Sequence, residues 1–397
     1  MGADTARLFQ PLELPCGVVL KNRIAKSAMS DSLGDGRGNP TPAQNRLYER
    51  WAEGGVAVSI IGEVQGNPHF AEKPGNLLLG AGHDQAAFEE LGRRGSANGA
   101  HLWLQLGHAG AMAYPPISTP RGPSGLDLPG LTCAALTRHE ILDLPAEFAR
   151  TASLARSHGF GGVQIHAAHG FLLSQFLSPL FNRRDDEFGG SIKNRMRLLL
   201  DTIAEVRAAV GPGFPVAVKL NSSDQLQGGL EQADVLKVVA ALDGTSLDLI
   251  DISGGTYFPG AKSASDSAGG GPYFLDFARR ARPLTKIPLM LTGGFKTLER
   301  AGEAVSGGAI DVVGLARALV LEPDLANTWQ TGSPHNPQFP KFASPPEGGI
   351  TAWYSMRLTQ LAEGRETAVP LDLAAALESY QARDAERTHL WQRRFPR

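Results

Sequence analysis

Cysteine is nearly absent: 397 residues hold only Cys16 and Cys133. Two thiols exclude a disulfide-stapled scaffold and any Cys-rich zinc or iron–sulfur site. An excess of charge of one sign is missing too. Lys and Arg total 38 against 40 Asp and Glu, for a formal charge of −2. That leaves no basic footprint for nucleic acid or an anionic membrane. No apolar run reaches the roughly 18 residues of a membrane span. The opening MGADTARLFQPLELP has no basic region followed by an apolar run, so no signal peptide is read there. Ala6 breaks the myristoylation pattern. Together these absences point to a soluble, cytoplasmic enzyme acting on a small-molecule substrate.

What the chain has in quantity is glycine, 47 residues, with 27 prolines and a composition 42% hydrophobic and 20% charged. The apolar content supplies a core and excludes disorder. The glycines follow no collagen period, so they imply many tight loops, some letting backbone approach a ligand.

Short β-rich runs alternate with helical patterns. Strands are predicted at 24–29, 56–62, 102–107, 162–166, 216–221, 247–252, 287–292 and 311–314. Helices are predicted near 42–53, 85–98, 145–157, 192–210, 231–242, 273–282, 297–306 and 316–320. Thr41-Pro42 opens the first helix and Leu144-Pro145 the third. Eight strands alternating with eight helices is the count of a single (β/α)8 TIM barrel. The rival is an open doubly wound sheet, which carries G-x-G-x-x-G after its first strand. Gly34-Asp35-Gly36-Arg37-Gly38 has the wrong spacing and runs into Asn39-Pro40. Residues 110–140 form a Pro/Gly-rich loop after strand three. Residues 1–332 are read as the barrel. Residues 333–397 are read as a helical C-terminal extension that covers the barrel or meets a neighbouring subunit.

In such a barrel the chemistry lies at the C-terminal ends of the strands. Those positions are Ser27 to Ser30, Gly62-Glu63, Gln105 to His108, His166 to Phe171, Lys219 to Asn221, Ser253 to Tyr257, Thr292 to Phe295 and Gly314 to Arg317. The glycines in Ser253-Gly254-Gly255, Gly293-Gly294 and Gly314 to Arg317 let N–H groups face an anion, and Arg317 adds a forked donor. This is a phosphate-site pattern; its plain alternative is a set of tight turns. His166 and His169, three apart, could flank an oxygen that gains negative charge. No third ligand stands at a suitable spacing, so no metal is expected. Lys219 could form a Schiff base, as in a lyase, or face an anionic cofactor. Gln105 adds an amide suited to the edge of a heterocycle such as flavin.

The segment His166-Ala-Ala-His169-Gly-Phe-Leu-Leu-Ser-Gln-Phe-Leu-Ser-Pro179, followed by Asn182 to Asp186 and Gly189 to Arg195, resembles the signature of the old yellow enzyme family. Leu20 to Arg23, Ser27-Ala28-Met29, Gln105 to Gly110, Gly293-Gly294 and Gly314 to Arg317 extend the resemblance in order from about residue 8 to 330. It implies non-covalent FMN at the barrel mouth and NAD(P)H as reductant. Ser27, Ala28, Met29, Ser30 and Gly62 would line the flavin, Gln105 would bond its pyrimidine edge, and Lys219 would lie near N1 and O2. Ser253, Gly254, Gly293, Gly294, Gly314 and Arg317 would hold the phosphate. His166 and His169 would bind the oxygen of an activated alkene. The implied cycle is ping-pong, and relatives are often dimers or tetramers, so a homo-oligomer such as a dimer is expected.

One departure matters. Relatives carry a proton-donating Tyr two residues after the second His, and here that position is Phe171, which has no proton to give. Tyr257, Tyr354 or water could donate instead. Alternatively, the enzyme could reduce nitro compounds or quinones, or work as an isomerase or dehydrogenase. Ser30 stands where other relatives have Cys.

Overall fold

In the computed structural model, residues 2–258, 271–333, 335–369 and 372–396 are described. Eight parallel strands form the barrel: β1 (Ile24–Met29), β2 (Val58–Gln65), β3 (His101–Gly107), β4 (Gly162–Ala167), β5 (Val216–Asn221), β6 (Leu249–Ser253), β7 (Leu289–Thr292) and β8 (Val312–Leu315). They pair in chain order, and β8 closes onto β1. Every residue of β2, β4, β5, β6, β7 and β8 is buried, because a closed parallel sheet is covered on both faces. A short strand, Leu77–Leu78, extends the end of β2.

The barrel helices are α1 (Pro42–Glu53), α2 (Gln85–Gly95), α3 (Arg138–Ser157), α4 (Arg197–Val210), α5 (Gln232–Leu242), α6 (Leu275–Ala281), α7 (Leu298–Ser306) and α8 (Arg317–Leu321). Thr41 caps α1 by accepting from the Gln44 N–H, with Pro42 in the first turn as predicted. The start of α3 differs from expectation. It begins seven residues before Pro145, because Thr137 and Glu140 form a reciprocal capping box that satisfies two end donors. Pro145 lies inside that helix. The run predicted as one helix at 192–210 breaks at Met196 into Ile192–Arg195 and α4. The loop after β3 is partly ordered as a three-stranded sheet of Arg121–Gly122, Leu126–Leu128 and Leu131–Ala135.

After the barrel come α9 (Gly349–Ala362) and α10 (Leu373–Arg394). Both lie on the barrel. Arg50 of α1 pairs with Glu366 in the link between them. Arg387 of α10 donates to the Ser32 carbonyl, and the buried Trp391 indole donates to the Pro68 carbonyl at 3.3 Å. The extension thus covers the segments that follow β1 and β2, on the side of the barrel where the candidate site lies.

Candidate active site

Inward-facing polar side chains from six strands make a floor beneath the C-terminal mouth. Gln105 Nε2 donates to Gln164 Oε1 at 2.7 Å, and Gln164 Nε2 donates to Asp251 Oδ2 at 3.1 Å. Lys219 Nζ donates to the same Asp251 oxygen at 2.8 Å. Thr292 Oγ1 donates to Asp251 Oδ1 at 2.7 Å and lies 2.8 Å from Ser27 Oγ. A threonine hydroxyl has one proton, so Ser27 must be the donor in that last pair. All six residues are buried. Strand register sets them side by side, pairing Gln105 with Gln164 and Lys219 with Asp251.

The floor decides how two predicted residues can act. Gln105 keeps its carbonyl oxygen and its second N–H for a ligand. Lys219 is held by Asp251 at 2.8 Å, at the edge where a flavin pyrimidine ring was expected. The pair gives no support to Schiff-base chemistry, which needs a neutral amine free to attack.

The paired histidines stand above the floor. His166 and His169 ring centres lie 5.2 Å apart, and Phe171 is 4.9 Å from His166. Tyr257 closes the group, 5.7 Å from His169 and 6.0 Å from Phe171. Burial, reinforced by the charge of Lys219, pushes the His166 imidazole down to about 3. Burial also drives His169 well below the usual histidine range. Both rings are therefore neutral near pH 7. His169 holds a positive φ of 61°; its N–H donates to Asn221 Oδ1, and its Nε2 is 2.9 Å from Ser253 Oγ. Ser253 is thus a partner of His169 in this structure, where a phosphate contact was expected.

His166 Nδ1 accepts from the Ala168 N–H at 3.3 Å. Its proton is accordingly assigned to Nε2, which lies 3.1 Å from Glu63 Oε1. Glu63 sits on a bulge of β2, between Ile61 and Val64, with φ of 62°. Burial pushes its carboxyl up to about 8. Nearby, Gln65 and His108 also carry buried nitrogens without a hydrogen-bond partner, as does Glu63 at Oε2. A cavity of about 20 Å³, with Gln65, Gly107, His108, Glu147 and Thr151 in its wall, adjoins them. That is room for one water.

Tyr354 is placed elsewhere. It is buried in α9 beneath Arg317, whose guanidinium stacks 5.5 Å from its ring. Gly293 and Gly294 have φ of 118° and 85°, a conformation open to glycine alone at little cost. A side chain on Gly254 would strike the Phe274 ring. Gly314 also makes room inside the barrel. It is a β8 residue whose missing side chain admits Ser27 Oγ and Thr292 Oγ1, each 2.4 Å from a built Cβ. Gly62 lets β2 pass against the backbone of Met29 and Ser30; Ala28 and Met29 lie at the end of β1.

The donor set fits FMN: an amide and a cation at one edge, and glycine turns at β7 with Arg317 after the adjacent β8. Sequence reasoning missed Gln164 and Asp251, and placed Glu63 at a strand end without a role. Asp251 left a signal, an acid inside an apolar strand run. Glu63 stood beside Gly62 at a strand end, but only the fold shows what it touches.

Residues 7–336 match the family described as NADH:flavin oxidoreductase / NADH oxidase. The chain is 35% identical over 356 residues to an NADH-dependent flavin oxidoreductase of Neonectria sp. (strain DH2), covering 80% of this chain and 46% of that one. It therefore spans about half the length of that relative. An NADH-dependent flavin oxidoreductase of Hypocrea jecorina (strain QM6a) is 33% identical over 351 residues, with 80% and 87% covered. An old yellow enzyme homologue from Zymomonas mobilis shares the fold at a TM-score of 0.72 and 23% identity, with 86% and 98% covered.

Proposed function

The chain belongs to the NADH:flavin oxidoreductase / NADH oxidase family, and from that premise we propose that it reduces activated alkenes with NADH or NADPH in a ping-pong cycle. The observation that carries this reading is the neutral pair His166 and His169, set above a floor that holds Lys219 and Gln105. Bound at the mouth, FMN supplies the centre that takes hydride from the nicotinamide and passes it on. Gln105 would orient its pyrimidine edge, and Lys219 would place positive charge beside it. Gly293, Gly294 and Arg317 would hold its phosphate. His166 Nε2–H and a His169 N–H would polarise the substrate's carbonyl or nitro oxygen, where negative charge develops. Neutral imidazoles suit this role, since they donate without becoming strong acids.

The same site supports a second reading. Phe171 gives no proton, which favours nitro compounds or quinones over alkenes as acceptors. One experiment separates the two. Purified protein should be yellow, or become so with FMN, and NADH or NADPH should bleach it without oxygen. Reoxidation by cyclohexenone and N-ethylmaleimide supports the alkene reading. Reoxidation by nitroarenes or quinones alone supports the second. Protein that stays colourless with FMN overturns both.

A further inference from the structure

We infer that Glu63 is the acid that supplies the proton Phe171 cannot, its carboxyl protonating the α carbon of the alkene beside His166. The inference rests on the alkene-reducing reading above. Three observations carry it. Glu63 Oε1 is 3.1 Å from His166 Nε2, and both side chains are nearly inaccessible, 6% and 1% exposed. The Ala168 N–H occupies His166 Nδ1, so His166 carries its proton at Nε2, beside Glu63 Oε1, where it can meet a substrate oxygen. Glu63 Oε2 is buried and has no hydrogen-bond partner in the structure, so the acid proton is assigned to it.

The surroundings hold the carboxyl in place. A Cβ on Gly107 would come within 2.7 Å of Glu63 Oε2, so the glycine at the end of β3 makes room for this oxygen. The bulge that gives Glu63 its positive φ turns the side chain toward the histidines, as bulges do next to active sites. The charged and titratable groups that act on it are Lys219, which favours its ionised form, and Glu72, whose own carboxyl is pushed up to about 7 by burial and by Glu63. The charge of both acids also acts on the Tyr257 hydroxyl. Burial outweighs Lys219, so the acid form persists near neutrality.

An acceptor oxygen bound to His166 Nε2–H would set the adjoining carbons of the alkene beside Glu63, whose carboxyl lies 3.1 Å from that nitrogen. The step balances simply. The β carbon receives hydride from the reduced cofactor. The π pair of the alkene forms the new α C–H bond with the proton of Glu63 Oε2. The O–H bond breaks and leaves a carboxylate. Water returns the proton before the next turnover.

The test compares two oxidants. Wild-type and Glu63→Gln holoenzymes, reduced by NADH, are mixed with cyclohexenone, whose carbon must be protonated, and with ferricyanide, which takes electrons alone. The ratio of enone to ferricyanide reoxidation rates is expected to fall about 100-fold in the variant, the size of a lost general acid. An unchanged ratio overturns the inference. Independently, the infrared band of protonated carboxylic acid at pH 7 is expected to be weaker in Glu63→Gln than in the wild type by the share of one carboxyl; spectra alike in this region overturn the inference. Should Glu63→Gln fail to fold, Gly107→Ala, which puts a methyl where Oε2 lies, is expected to lower the same ratio, and no change there overturns the inference. Wild-type flavin that NADH cannot bleach defeats the alkene reading instead, while the infrared band still reports on Glu63.

Discussion

The two sides of the barrel mouth are built on opposite principles. Across the floor, from Gln105 of β3 through Gln164, Asp251 and Thr292 to Ser27 of β1, every linking atom has a partner. Beside it, in β2 and just after β3, Glu63 Oε2, Gln65 Nε2 and His108 Nε2 are buried without one. Buried polar groups are normally satisfied, so the contrast assigns different work. A saturated network fixes orientation, which a flat, rigid cofactor requires. An unsaturated one keeps donors and acceptors available to whatever enters.

The comparison breaks most severely at its saturated side. Asp251→Ala removes the partner of Lys219, Gln164 and Thr292 at once and leaves a buried ammonium alone. A loss of about 3–5 kcal/mol is expected, measured by denaturant unfolding. A loss under about 1 kcal/mol would mean that the floor does not hold the barrel together. Gly314→Ala presses a methyl against Ser27 and Thr292 and is expected to cost about 1–3 kcal/mol by overpacking, read in the same assay.

The unsaturated side is sharpened by pH. Glu63 has a folded pKa raised from the ordinary 4.5 to about 8. Unfolding then releases a proton between those values, so Glu63 makes stability fall as pH rises from about 4.5 to 8. Glu63→Gln is expected to flatten that part of the profile of thermal midpoint against pH. A profile that keeps its slope would show Glu63 ionised in the fold. The smallest effect is expected at Gln65. Gln65→Met removes an unpartnered amide nitrogen at little change of volume, and stability should move by no more than about 1 kcal/mol. A larger loss would reveal a water bound tightly in the adjacent cavity.

Much of this site was legible before the fold was known, and particular residues show why. His166, His169, Gln105 and Lys219 stand at the ends of apolar strand runs, where a barrel puts chemistry, and their spacing alone carried the family resemblance. Phe171 was readable as a departure for the same reason. Tyr354 was not readable. A tyrosine in a C-terminal helix gives no sign of what its hydroxyl faces, and its ring is taken by Arg317. That Gly314 also makes room for two hydroxyl groups inside the barrel was not readable, because a glycine before an Arg gives the same pattern either way.

The sequence by itself determined the alternation of strands and helices, the barrel, the family and the residues at the strand ends, because each of these follows from local periodicity and motif. Only the tertiary structure decided which of those residues face one another. Asp251 neutralises Lys219 across neighbouring strands, 32 residues apart in the chain. Glu63 meets His166 although 103 positions separate them, since barrel closure and a one-residue bulge on β2 turn a strand-end acid inward. Contacts of that kind depend on strand register and on burial, which no run of residues specifies alone.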